Sequence, residues 1–242
     1  MITMKTRNLI LPTLTILSVA ACSCALAQSK ATSPYHIDID SSAAPDLKEW
    51  SDTKLRAAVE LWYPIIVADL PSEGFAAPRK FDIKIDPDYK GVAATAGTHV
   101  MVSPDWVRSQ NSRGPVNEAI GSVIHELVHV VQQYGRGGRD NPMPGWLTEG
   151  IADYIRWWKF EPESVRRPVR PVKRNGQAAS YRDAYQTTAA FLEYVVIHHD
   201  HELVVKLNAV GRDGTYAPEL WKQYTGKTVD ELWDEFVATL KP

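Results

Sequence analysis

The sequence predicts an α+β fold: a small N-terminal mixed sheet, one buried helix that carries the chemistry, and a mostly helical C-terminal half. Three observations predict it. Apolar and polar residues alternate over 35–40 and 81–86, the period of half-buried strands. Val116, Ile120, Ile124, Leu127, Val131 and Tyr134 then recur at helical spacing. Beyond them the apolar period stays helical, and strands followed by helices mark a segregated α+β domain.

At the N-terminus, Lys5 and Arg7 precede an almost wholly apolar run over 9–21, and Ala25-Leu26-Ala27 offers a small-x-small cleavage site. Residues 1–27 therefore read as a secretory signal peptide, and 28–242 as a single domain that is secreted or periplasmic. A competing reading takes Val19-Ala20-Ala21-Cys22 as a lipobox, leaving Cys22 as the lipid anchor of an envelope lipoprotein. Cys22 and Cys24 are the only cysteines, so cleavage after Ala27 leaves no disulfide framework, no cysteine nucleophile and no thiolate metal ligand. No later stretch approaches the roughly 18 apolar residues of a membrane span. Removing Lys5 and Arg7 takes 27 basic residues to 25 against 29 acidic, a net charge of −4. With no basic motif interleaved with aromatics, nucleic acid is not an expected partner.

Tyr35, Ile37 and Ile39 alternate with His36, Asp38 and Asp40 as a first strand. A long helix follows with the stripe Leu47, Trp50, Leu55, Val59, Trp62 and Ile66, which Pro64 should kink or divide because it lacks a backbone donor. Residues 81–86 form a second strand and 91–102 a third; His99 is read as a surface residue.

The run Val123-Ile124-His125-Glu126-Leu127-Val128-His129-Val130-Val131 dominates the middle of the chain. Four helical residues turn through about 400°, so His125 and His129 point the same way and can share one ion. Zinc suits such a pair, one ion per chain. Glu126 follows the first histidine, where its carboxylate can reach a water on the metal and take its proton. Zinc that does chemistry keeps three protein ligands and one open position. After the turn at 135–139, a second amphipathic helix buries Leu147, Ile151, Tyr154, Ile155 and Trp158 and sets Glu149 and Asp153 on another face. Glu149 is assigned as third ligand, and Asp153 as acceptor for a ligating histidine. The alternative makes Asp153 the ligand through Gly150-x-x-Asp153. A scheme needing histidine six residues past His129 fails, since Gly135 stands there.

These words, HELVHVVQQYG and GWLTEGIADYIRW, together with Gly91-Val92-Ala93, residues 185–192 and residues 224–233, resemble the gluzincin class of zinc peptidases. More closely they resemble the basic secretory protein family of plants and bacteria. The resemblance implies a zincin-like fold and a zinc metallopeptidase, read as a monomeric endopeptidase acting on peptide or protein. It implies zinc on His125, His129 and Glu149, with Glu126 as base and Asp153 behind a ligand. It also implies that the strand before the active-site helix lies at the sheet edge, where substrate adds as a further strand. Gluzincins hold the oxyanion with a tyrosine or histidine; Tyr185 is the first candidate, Tyr181 the second and Tyr154 the third. A net charge of −4 departs from the family's "basic" name, so no cationic-surface role carries over. The rival is a noncatalytic envelope or wall-binding protein with structural zinc.

Residues 161–180, with Pro162, Pro168 and Pro171 and the cations Arg166, Arg167, Arg170, Lys173 and Arg174, read as an irregular loop, or as a cleft rim favouring acidic substrate. Helical periodicity returns over 181–199. His198-His199-Asp200-His201 reads as a polar helix end, and Thr228-x-x-Glu231 as a capping box opening the last helix.

Overall fold

A computed structural model describes residues 33–112, 118–134, 142–162 and 169–240. The signal-peptide and lipobox readings, Val116, the 135–139 turn, and Arg166, Arg167 and Pro168 lie outside the described residues. The architecture is α+β, a four-stranded mixed sheet followed by helices.

Strands β1 (His36–Asp40) and β2 (Lys80–Ile85) pair in parallel, β2 pairs in parallel with β4 (His99–Val102), and β3 (Ala93–Ala96) runs antiparallel to β4, giving the order β1-β2-β4-β3. Alternation sends Phe81, Ile83, Ile85, Val100 and Val102 into the core. The other face presents pairs such as His99 and Asp82, 2.6 Å apart, in keeping with a surface role for His99. The single strand expected over 91–102 is a hairpin instead. Gly97 turns it at φ +66°, a region open to glycine without steric cost. The edge is consequently β3, and β4, the last strand before the helix that carries His125 and His129, lies inside the sheet.

The helical segment before β2 opens with a 3-10 turn (Pro45–Leu47) and α1 (Lys48–Trp50), widens to π geometry over Ser51–Leu55, and continues as α2 (Arg56–Asp69). Pro64 neither ends nor divides α2; it sits on the exposed face, where Glu60 loses only one intrahelical donor. Tyr63 is buried beside Val59 and Ile66, and Trp62, the residue the stripe named, is partly buried against the same core.

Helix α3 (Pro104–Asn111) starts at a Ser103 cap and leads to α4 (Ala119–Gln132), which is buried on nearly every face. Such a helix belongs in the centre of a domain, and α4 packs between the sheet, α2 and α5. It ends in left-handed Gln133 (φ 48°), whose amide donates to Val130 O at 2.8 Å and to Gly97 O at 3.1 Å, tying the helix end to the β3–β4 turn. Helix α5 (Gly145–Tyr154) runs on as a π-helical segment (Ile155–Phe160), which turns Trp157 inward where helical spacing pointed to Trp158.

A 3-10 turn (Tyr181–Asp183) precedes α6 (Tyr185–His198), followed by α7 (Leu203–Asp213), α8 (Glu219–Thr225) and α9 (Val229–Thr239). The Thr228–Glu231 capping box is present, and His199 closes the end of α6 against Glu235 at 3.1 Å. Among the described residues no helix is long and apolar enough to cross a membrane.

Arg212 of α7 locks the base of α4. Its guanidinium donates to Val131 O at 2.9 Å and Gln132 O at 3.2 Å, carbonyls that the helix end leaves unpaired, and to Leu70 O at 2.7 Å. Removing one partner from buried groups costs more than an average hydrogen bond is worth. Arg212→Met should therefore lower unfolding free energy by about 3 kcal/mol in urea titrations; a loss under about 1 kcal/mol would show that the lock carries little.

Candidate active site

One face of α4 and one face of α5 meet along a cleft of about 760 Å³, a volume suited to a segment of substrate rather than to a lone ion. Residues 92–95 of the β3 edge form one wall and residues 183–187 at the start of α6 another. His125, Glu126 and His129 of α4 and Glu149 and Asp153 of α5 line it between them.

His125 Nε2 lies 3.0 Å from Glu149 Oε2 and 3.1 Å from His129 Nε2, and His129 Nε2 lies 3.5 Å from the same Glu149 oxygen. Among the described residues, His125, His129 and Glu149 are the group whose ligand atoms converge closely enough to hold a metal ion. Asp153 takes a different place. Its Oδ1 lies 2.7 Å from His125 Nδ1, behind the ring, and it is 4% exposed, so it meets the histidine and not the converging atoms.

Glu126 points from the neighbouring position of α4 towards β3, where Thr95 Oγ1 donates to Glu126 Oε2 at 2.7 Å. Tyr185 opens α6 beside them. Its ring lies face-to-face with His125 at 6.2 Å between centroids, and its side chain remains largely exposed in the cleft. The chain reaches this position through two left-handed non-glycine residues, Ala184 (φ 61°, ψ −172°) and Tyr185 (φ 48°). Such residues are strained, and strain held in place gathers at functional sites.

The other two tyrosines are elsewhere. Tyr181 is buried among Trp146, Phe191 and Trp233 and its hydroxyl donates to Asp230 at 2.8 Å; Tyr154 is buried on α5; neither lines the cleft. Each of these two rings fills the core beside its own element. Of the cations in the expected rim, Lys173 lies 2.9 Å from Asp183, a cleft residue, and is spent on that pair.

Electrostatics follow from burial. Burial opposes a proton on His125, yet hydrogen bonds to Asp153 and Glu149 outweigh it and raise the imidazole to about 9. Burial would likewise raise Glu149, but His125 and His129 hold its carboxyl well below the usual range. Without metal, the site thus stores a proton between two carboxylates. The Tyr185 hydroxyl is pushed up chiefly by the charge of Glu149, which keeps it protonated as a donor.

Residues absent from the sequence reading complete the site. Gln132 Oε1 sits 2.7 Å from His129 Nδ1; its spacing from His129, one helical turn, was the available signal. Thr95 gave none, since its partner is 31 residues away. Arg156 and Trp157 reach the cleft from the π-helical extension of α5, where helical spacing no longer applies. Gly150 lets α5 and α6 close up: a Cβ there would strike the Thr188 side chain.

A family model described as peptidase of plants and bacteria matches residues 83–236, from within β2 to within α9 and across every residue of the cleft named above. Among curated proteins and solved structures, none matches the chain. With well over half of its length matched, this chain belongs to the BSP family, the peptidases of plants and bacteria.

Proposed function

We propose that this protein is a zinc-dependent endopeptidase of zincin-like architecture, with His125, His129 and Glu149 holding the metal and Glu126 acting as general base. The observation that carries this is the spacing of the three donor atoms. Ligand atoms about 2.05 Å from one tetrahedral zinc stand about 3.3 Å apart, and the three separations here are 3.0, 3.1 and 3.5 Å. The donor set fits as well: two imidazole nitrogens and one carboxylate oxygen, three ligands and not four, leave one position open. Zinc held there would polarise the scissile carbonyl and make a water acidic enough to lose its proton near neutrality.

The chain's own groups do the rest. Glu126, oriented by Thr95, takes the proton of the attacking water and delivers it to the leaving amine. The Tyr185 hydroxyl donates to the oxyanion that develops on the carbonyl oxygen. Asp153 keeps the His125 proton on Nδ1, so that Nε2 presents its lone pair. The outer edge of β3 pairs with no strand among the described residues, so an extended substrate can hydrogen-bond along it, the mode of binding an endopeptidase would use.

Glu126→Gln should retain zinc while losing about 10³-fold in kcat/KM on a quenched peptide library, and Tyr185→Phe should lose about 10²-fold with KM little changed. Turnover in Glu126→Gln within tenfold of the parent contradicts the assignment.

His125 gives a pH test. Its folded pKa of about 9 exceeds its ordinary 6.5, so in chelator-treated protein it contributes stability that is full below pH 6.5 and lost as pH rises through about 9. Urea titrations from pH 6 to pH 10 should show that loss, and zinc should remove it by taking the proton's place on Nε2. An identical pH profile with and without zinc would exclude His125 as a ligand.

A further inference from the structure

We infer that Gln132 is a positioning residue that fixes the tautomer of His129 and couples it to the helix carrying Glu149. The inference rests on the zinc reading for its consequence but not for its geometry. Gln132 is 1% exposed, so both ends of its amide need partners inside the protein. One end lies 3.0 Å from the carbonyl oxygen of Thr148, the residue before Glu149, and the other lies 2.7 Å from His129 Nδ1.

A backbone carbonyl only accepts. The Gln132 NH2 must therefore face Thr148, which turns its oxygen, an acceptor, towards His129. Nδ1 must then carry the ring proton, and Nε2, the atom 3.5 Å from Glu149 Oε2, keeps its lone pair free for the metal. A flipped amide would set its oxygen against the Thr148 carbonyl oxygen and lose that bond, leaving NH2 to donate to an unprotonated Nδ1. The backbone of α5 thus selects the tautomer of a ring on α4.

The two histidines are consequently held by different chemistry. His125 leans on the carboxylate of Asp153, an anion that strengthens it as a ligand and as a proton acceptor. His129 leans on a neutral amide, which orders the ring without adding charge. One carboxylate behind the pair in place of two would leave a metal held there more electron-poor, which would favour polarisation of a substrate carbonyl.

The test uses Gln132→Ala and Gln132→Glu, with zinc affinity by chelator competition and the His129 tautomer by imidazole 1H–15N correlation in metal-free protein. Gln132→Ala should weaken zinc about 10- to 100-fold and give His129 a mixture of tautomers. Gln132→Glu restores an acceptor to Nδ1, so the Nδ1–H tautomer should return and zinc affinity should recover most of the loss, although the donor to Thr148 is gone. Should the parent bind no zinc, the proposed function fails, while the tautomer spectra still decide this inference. Unchanged His129 tautomer in Gln132→Ala would overturn it, as would a loss of zinc affinity equal in both variants, which marks Gln132 as packing alone.

Discussion

The hydrogen bond between His125 Nδ1 and Asp153 Oδ1 is the constraint on which the rest depends. Both groups are nearly excluded from solvent, on different helices, and each would be costly to bury alone. Together they fix the rotation of α4 against α5. Once that rotation is set, His125 Nε2 faces Glu149, His129 follows one turn later, and Glu126, about 100° further round α4, lines the same cleft from the side where β3 meets it. The bond from Gln132 to Thr148 holds the same helix pair, and Arg212 of α7 fixes the base of α4 through its last carbonyls. The polar groups of the cleft are therefore anchored by a network that leaves little freedom to slide.

The pairing of His125 with His129 on one face was legible in the sequence because it depends on spacing, whereas the meeting of Glu149 with them rests on the packing of α5 against α4. Two residues four apart share a helix face whatever surrounds them, and Glu149 and Asp153 share one for the same reason. The α+β class and the final capping box were legible because each is written locally, in periods and in short-range bonds. Features set by long-range register were not. The hairpin at Gly97 makes β3 the edge in place of β4, and no period distinguishes a four-residue hairpin arm from a longer strand. Neighbouring aromatics were not separable by spacing either: Tyr63 is buried where the stripe named Trp62, and Trp157 where it named Trp158, while both named residues pack against the core. Three tyrosines stood as ranked candidates for the oxyanion donor, and packing is what separates Tyr185 in the cleft from Tyr181 on Asp230.

Strain and close packing mark the α6 wall of the cleft in a way composition does not. Ala184 and Tyr185 take left-handed backbone where glycine would be free, and Gly150 lacks the side chain that would push α6 away. The first costs stability and the second removes a steric obstacle, and both bring Tyr185 over His125. A fold that only needed a stable core would gain from glycine at 184 and lose nothing by moving Tyr185 aside. The arrangement is the expected one for a wall that must sit close to a reacting group.

The measurement that tests the central claim most directly is the zinc content of the purified protein beside its Glu149→Ala form, by elemental mass spectrometry. About one zinc per chain in the parent, with clear loss in the variant, is the predicted result. No zinc in the parent after reconstitution, or equal zinc in both, contradicts a metal centre built on His125, His129 and Glu149.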